Sequence, residues 1–308
     1  MSSPLISVIV PCFNQADYLP EAIQSILDQS YAPIEMIVVD DGSTDDSAHL
    51  AEQIDGVRVI RQTNRGSAAA RNTGFAASHG DYIVFLDGDD RLLPDAIQTA
   101  IEHAVAAAWG SAQHAPFVFG RFRRITVDGK AIRLQPPRSP SLTYRTLLRG
   151  ASVGPPGVAL FPRELVTAVG GFDPKIRYAE DLDFYFRICR LTDGYCHNAV
   201  TMEYRQHRGQ SSYGVSRILK ATLDVIDSQR DVIGDDPIRI ADQSIGRKTW
   251  SRLFGQWIPI EIVRHAKDLR IANACSATWQ FCRHSPPALM GAVDFARARL
   301  MNGGVRGL

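Results

Sequence analysis

"LISVIVPCFNQADYLPEAIQSILDQSYAPIEMIVVDDGSTDD", residues 5–46, is the stretch that decides the fold. It opens on a short β-branched run, residues 5–11, closed by Pro11. It ends on a second apolar run that gives way to an acidic, small-residue turn at residues 40–46. Neither run alternates apolar with polar residues, so both read as buried parallel strands. Between them Leu19, Ile23, Ile26 and Leu27 fall at helical spacing, with Asp17 as a candidate N-cap. The unit is β-α-β.

The alternation continues downstream. "STDDSAHLAEQI" (43–54) suits a helix capped near Ser43 or Thr44, "VRVIRQ" (57–62) a strand, "GSAAARNTGFAASH" (66–79) a helix and "DYIVFLDGDD" (81–90) a strand. "LPDAIQTAIEHAVAAAW" (93–109) suits another helix. This order predicts an α/β fold: a doubly wound, Rossmann-like mixed sheet, mainly parallel, with helices on both faces. Ligands in such sheets sit beyond the carboxyl ends of the strands, here residues 11–14, 40–43 and 87–90. From Phe117 the pattern loosens into a hairpin turning at Asp128-Gly129, a Pro-rich stretch at 136–140, a loop and helix, a Gly170-Gly171 turn, and a helix beginning near Glu180. A polar loop spans 202–214, and amphipathic helices follow, with a Gly-rich end at 303–307. The expected division is a domain over 1–214, with halves 1–115 and 116–214, and a helical C-terminal region over 215–308.

Bulk properties narrow the function. The 308 residues are 45% hydrophobic and 22% charged, ordinary for a globular chain. A formal charge of +1 gives no argument for nucleic acid. The charge is uneven, however: from Arg247 onward ten Lys and Arg face three acids, a balance of +7, leaving −6 for residues 1–246. Five cysteines without a C-x-x-C pair indicate neither a zinc site nor a disulfide framework, and reduced thiols in a cytoplasm are expected. The N-terminus reads as a strand rather than a signal peptide, and no apolar run is long enough to span a bilayer.

"IVFLDGDDRLLPDA" (83–96) drives an apolar strand into Asp87, Asp89 and Asp90, with Asp95 close behind. Crowded carboxylates raise one another's proton affinity unless a cation or donors intervene. Two carboxylates flanking one small residue, Gly88, suit a divalent ion, although the spacing alone is a weak signal because acidic turns after strands are common. Asp95 reads as an early-helix charge, and Asp90 as an N-cap for the helix after it. In "AEDLDF" (179–184), Glu180, Asp181 and Asp183 start a helix; Asp181 shares a side with Phe184, and Asp183 complements the helix dipole.

Four blocks in order, "VIVPCFNQADYLPEAIQSIL", "IVVDDGSTDDS", "NRGSAAARNTGFAASHGDYIVFLDGDD" and "GGFDPKIRYAEDLDFYFR", resemble the family-2 glycosyltransferases. These are inverting enzymes of the GT-A fold that use nucleotide-activated sugars. The resemblance runs from about Leu5 to Gly214. It implies a nucleotide-binding set of Pro11, Cys12, Phe13, Asn14, Asp41, Asn64, Gly66, Arg71, Asp87 and Gly88, with Asp41 accepting from the base and Asp87 near the ribose. Asp40 has a separate reading as the cap of its turn, and Arg71 either contacts a phosphate or pairs with a strand-end acid. The resemblance further implies that Asp89 ligates Mg²⁺ or Mn²⁺ against the diphosphate, with His207 of the polar loop beside the diphosphate or metal and Arg208 a weaker candidate. Asp181 matches the general base, with Glu180 beside it. The loop 154–157, with Arg163, matches the acceptor cavity.

The implied partners are a nucleotide-diphosphate sugar, UDP foremost, and a carbohydrate or lipid-linked acceptor, in cell-surface polysaccharide synthesis. Two readings of 215–308 stand open: a helical appendage packed on the core or a second subunit, or a face leaning on anionic lipid at the inner side of the plasma membrane. A Mg²⁺-dependent phosphatase of the haloacid dehalogenase type is disfavoured, because its D-x-D closes the first strand and Arg91 stands here where that family has Thr or Val. A dehydrogenase lacks its G-x-G-x-x-G. A nucleotide-sugar-binding partner without turnover is the remaining alternative, and the joint presence of Asp89 and Asp181 argues against it.

Overall fold

The computed structural model describes residues 3–108, 115–207, 209–210, 214–267 and 270–284. Arg208 and the Gly-rich end lie outside the described residues. The chain divides into two compact units: Met1–Tyr144 with Val153–Arg205, and Arg145–Ser152 with Gln206–Leu308.

The first unit starts as the sequence predicts. Strand β1 (Ile6–Cys12), helix α1 (Leu19–Leu27), β2 (Ile34–Asp40), α2 (Ser47–Glu52), β3 (Val57–Arg61), α3 (Ser67–Ala77) and β4 (Tyr82–Phe85) alternate without interruption. β1 is buried along its whole length, which explains its unbroken β-branched run. It pairs in parallel with β2 on one side, Ile6 opposite Ile34, and with β4 on the other, Ile6 opposite Tyr82. After β4 come the two-residue β5 (Arg91–Leu92), α4 (Ala96–Ala108), β6 (Phe117–Ile125), β7 (Ala131–Leu134) and β8 (Ser141–Leu142). α5 (Tyr144–Leu148), β9 (Ala159–Pro162), α6 (Arg163–Ala168), α7 (Glu180–Cys189) and β10 (Gly194–Arg205) follow.

The strands form one mixed sheet in the order β3-β2-β1-β4-β9-β6-β10-β5, with β7 added to β6 and β8 to β10. Its long ladders are parallel, β1 with β2 and β4, β2 with β3, and β6 with β10. β9 runs antiparallel to both β4 and β6, joining the two halves. The seam is filled by rings: Phe85 meets Phe172 edge-on at 5.0 Å, Phe117 stacks on Phe161 at 5.5 Å, and Phe172 stacks on Phe184 at 4.2 Å. This aromatic core anchors α7 against β4, and so fixes the acids at the start of α7 relative to those at the end of β4.

Three local expectations are corrected. α1 starts after Tyr18 rather than at an Asp17 cap, with Pro20 in its first turn. α2 starts at Ser47, because residues 43–46 form the turn: Ser43 donates its N–H to Asp40 and Ser47 donates to Asp45. Asp90 caps no helix, since the chain runs on into β5, which pairs with β10. The hairpin turns at Asp128-Gly129 as expected, with Gly129 at φ +79°.

The second unit is helical: α8 (Val215–Ser228), α9 (Arg230–Ile233), α10 (Pro237–Gly255), α11 (Ile258–Lys267) and α12 (Ile271–His284). Leu219, Leu223, Ile226, Trp250, Ile258 and Phe281 are among its buried hydrophobics. Residues 145–152 pack into it. The buried Asp242 carboxylate takes Arg145 at 2.7 Å and Arg149 at 2.9 Å, and α10 passes so close that a Cβ at Gly246 would overlap the Leu148 carbonyl. No helix among the described residues is long and apolar enough to cross a membrane.

Candidate active site

The carboxyl ends of β1, β2 and β4 carry the residues that the sequence singles out, and side chains from distant segments lock these ends together. At the end of β1, Cys12 is buried, with its thiol pushed up to about 11 by burial. Phe13 is 46% exposed, presenting an apolar face at the rim. Asn14 sits at φ +52°, where its Oδ1 accepts the Thr44 N–H at 2.8 Å and its own N–H donates to Ser43 Oγ at 2.9 Å. The loops after β1 and β2 are thereby stitched into one wall. Pro11, the penultimate residue of β1, is buried opposite Val39 of β2.

Asp41 is buried and shapes the neighbouring loop. Its Oδ1 accepts from Gln62 Nε2 at 2.6 Å and the Arg65 N–H at 2.9 Å, and its Oδ2 from the Gly66 N–H at 2.7 Å. A carboxylate has about four acceptor positions, so these three bonds leave room for one more donor. Asn64 lies against Gly42, where a Cβ would come within 2.9 Å of the Asn64 nitrogen.

Gly88 owes its place to packing. A Cβ there would meet Gln15 Oε1 at 2.6 Å, Leu19 at 3.3 Å and the Pro11 carbonyl at 3.4 Å, so only glycine lets the acidic turn lie against the β1 loop. Arg71 pairs with the strand-end acid, one of the two roles that the sequence offers for it. Its guanidinium is buried, 2.6 Å from Asp87 and 3.2 Å from Glu180, and rests over the Phe172 ring at 5.2 Å. Burial opposes that charge, but Asp87 and Glu180 outweigh it and raise the Arg71 pKa above the ordinary arginine value. Glu180 also accepts from Ser67 Oγ at 2.5 Å, so the starts of α3 and α7 are tied at one carboxylate.

Asp181 follows directly. Its Oδ1 accepts the N–H of Leu182 at 2.7 Å, and burial, reinforced by the Glu180 charge, pushes its carboxyl up to about 7. Arg71 and Asp87 both act on it electrostatically, which places the α7 start and the β4 end in one electrostatic neighbourhood. Asp183 is set apart, buried and paired with Arg187 at 2.8 Å.

The strand-end acids crowd one another. Burial raises the pKa of Asp87, and the Asp89 charge adds to this against Arg71. Asp90 is pushed well above the ordinary range by burial and by Asp89 and Asp87, and its Oδ2 finds no partner among the described residues. That crowding of carboxyl groups fits a dication. No group of three or more His, Cys, Asp or Glu side chains forms a metal cage among the described residues. Mg²⁺ is usually held by one or two carboxylates plus substrate phosphates and water, so a site of this kind needs no cage of three protein side chains.

Arg205, which sequence reasoning passed over, organises this loop. It is 1% exposed; its N–H donates to Asp90 at 2.9 Å, Nε to the Asp89 carbonyl at 3.1 Å, and Nη2 to Glu21 at 2.5 Å. The partners lie more than a hundred residues away in sequence, and nothing local signals them. His207 belongs to the second unit, where its ring Nδ1 accepts from the Gly209 N–H at 3.2 Å. Arg163 bonds to Ser78 and to the Gly80 carbonyl, at the opposite end of β4 from the acids. The 154–157 loop does sit at the acidic end: a Cβ at Gly157 would strike Met202 and Leu86, and Tyr185 donates to the Gly154 carbonyl at 3.2 Å.

Comparison with known proteins agrees with this geometry. The family model described as Glycosyl transferase family 2 matches residues 7–170. A Bacillus subtilis glycosyltransferase named for teichuronic acid biosynthesis, TuaG, is 30% identical over 291 residues, covering 93% of this chain and 96% of that protein. An uncharacterized glycosyltransferase of Haemophilus influenzae is 37% identical over 155 residues, 49% of this chain and 59% of the other. The chain thus spans only part of some relatives. Among solved structures, S. aureus TarS 1-349 in complex with UDP-GlcNAc superposes with a TM-score of 0.62 at 18% identity, over 81% of this chain and 72% of that one. The mannosyltransferase PcManGT from Pyrobaculum calidifontis, in complex with GDP-Man and Mn²⁺, gives 0.60 at 18% identity, over 97% and 81%. These neighbours share the GT-A fold. With the family model covering more than half its length, the chain belongs to glycosyl transferase family 2.

Proposed function

We propose that this chain is a metal-dependent, inverting glycosyltransferase that moves a sugar from a nucleotide diphosphate, UDP foremost, to the hydroxyl of a carbohydrate or lipid-linked acceptor. The observation that carries the reading is the nearness of Asp181, a carboxyl pushed up to about 7, to the acid-rich end of β4, to which Arg71 ties the neighbouring Glu180. Asp181 is the general base, taking the acceptor hydroxyl's proton as that oxygen attacks the anomeric carbon. A base whose pKa lies near the working pH combines a useful ionised fraction with enough basicity. Glu180 and Arg71 position it.

Asp89, with Asp87 beside it, would hold Mg²⁺ or Mn²⁺, whose positive charge stabilises the negative charge gathering on the departing diphosphate. The wall formed by Pro11, Cys12, Phe13 and Asn14 receives the base, and the remaining acceptor position of Asp41 takes a base N–H. Names of relatives and neighbours that bind UDP-GlcNAc or GDP-Man support the donor class, and TuaG supports a role in cell-surface polysaccharide synthesis.

The test is nucleotide release from a panel of nucleotide sugars with Mn²⁺ or Mg²⁺, with and without acceptor, and the anomeric configuration of the product by NMR. Asp89→Ala is expected to lose metal-dependent nucleotide binding. Retained configuration, or tight metal-dependent binding by Asp89→Ala, would refute these roles.

A further inference from the structure

Between Arg121 and Arg138 the chain holds five arginines and one lysine against a single acid, Asp128, a balance of +5 within a portion, residues 1–246, that sums to −6. These residues form the β6–β7 hairpin. All four residues of β7 are exposed, and among the described residues its outer edge pairs with no other strand. Arg124 stands directly opposite Arg133 across the ladder; among the described residues neither has an acidic partner, and Arg124 lies over the Tyr204 ring at 5.9 Å. Like charges at facing positions destabilise a hairpin, so this pair weakens the fold unless an anion meets it.

Aliphatic side chains are interleaved with the cations. Val127 is 52% exposed, Leu134 51% and Ile132 40%, the last standing in the irregularity between the Arg124 and Ile125 pairings. Arg123, Arg133, Ile132, Leu134 and Val200 help line a surface hollow of about 340 Å³. A surface that is both cationic and aliphatic matches the boundary of an anionic bilayer, where phosphates meet acyl chains. Arg123 is paired with Glu203, and Arg121 and Arg138 bond to backbone carbonyls, which leaves Arg124, Lys130 and Arg133 as the exposed cations. A second copy of the chain is a poor occupant, because pairing along the free edge would bring two such sets of cations together. Nucleic acid would favour exposed aromatic rings for stacking, and the exposed apolar side chains here are aliphatic.

We propose that the β6–β7 hairpin docks this unit on an anionic lipid bilayer. The hairpin is tied to the acidic loop: the Val127 carbonyl accepts from Arg205 Nη1 at 2.6 Å, and the same guanidinium holds the Asp89 carbonyl. Docking therefore sets the height of the β4 end above the lipid surface. The inference stands whether or not the transferase reading does.

Flotation of the full chain with vesicles tests it, using phosphatidylcholine alone and phosphatidylcholine mixed with phosphatidylglycerol. The wild type is expected to float with the anionic vesicles only, and less so as salt rises. Arg124→Gln with Arg133→Gln is expected to weaken partition roughly 25-fold, about fivefold per cation. Its thermal stability should be equal to or above that of the wild type, because a like-charge pair is removed. Val127→Ser, Ile132→Ser and Leu134→Ser together should weaken partition again at unchanged charge. Wild type that ignores anionic vesicles, or binds neutral ones equally, overturns the proposal. So do arginine variants that float as wild type does, which would place the contact elsewhere, including the basic segment after Arg247. A concentration-dependent dimer abolished by the hairpin variants would make a second copy the occupant and also overturn it.

Discussion

Replacing Asp181 by Asn should make the protein more stable and almost inactive at once. In the folded chain the Asp181 carboxyl titrates near 7, against an ordinary value of 3.8, chiefly because it is buried. The folded state therefore holds this proton more tightly than the unfolded state. Below about pH 4 the group is protonated in both states and has no effect. As pH rises from there to about 7, the unfolded chain loses the proton first, and stability falls. Above 7 the full difference of about three pH units applies; at roughly 1.4 kcal/mol each, ionised Asp181 destabilises the fold by about 4 kcal/mol. Asn is neutral at every pH and its Oδ1 can still accept the Leu182 N–H. Urea unfolding followed by circular dichroism should show Asp181→Asn gaining up to about 4 kcal/mol at pH 8 and little at pH 4.5. Acceptor-dependent nucleotide release should fall roughly 10²- to 10⁴-fold, the usual contribution of a general base. A variant no more stable than wild type at pH 8, or one turning over within a few-fold of it, would refute the assignment of a strained base to this position.

Three further outcomes follow from the same geometry. Wild-type turnover at saturating substrates should rise with pH through the region near 7, as Asp181 ionises, and Asp181→Asn should flatten this profile; a profile without a limb there would remove Asp181 as the base. Arg71→Met should leave the partly buried Asp87 and Glu180 without their cation, cost up to about 3 kcal/mol in denaturant unfolding, and weaken nucleotide binding; a stability change under about 1 kcal/mol would show the bridge to be unimportant. Gly88→Ala must displace Gln15 or the acidic turn, so it should cost about 1–3 kcal/mol and raise the apparent Kd for metal and nucleotide together, measured by titration calorimetry; unchanged binding would mean the turn tolerates movement.

The alternating β-branched and amphipathic segments from Leu5 to Ala108 determined the doubly wound half of the fold, because strand and helix periodicity are local properties of the chain. The acids at 40–41, 87–90 and 180–181 were legible for the same reason: each cluster lies within a few residues of an element boundary. The tertiary structure decided their chemistry. Arg71 reaches Asp87 and Glu180 from sixteen and 109 residues away, and its choice of partner depends on α7 docking through the Phe85, Phe172 and Phe184 rings. Asp90 looked like a cap because the sequence hides a two-residue strand that exists only through pairing with β10. Arg205 was passed over for the converse reason: a buried guanidinium acquires its role from carbonyls and carboxylates gathered from α1, the β4 end and the hairpin, and no local pattern encodes that convergence. Sequence fixes which groups are available near each strand end, whereas burial and long-range pairing set which of them are charged, matched or left wanting a cation.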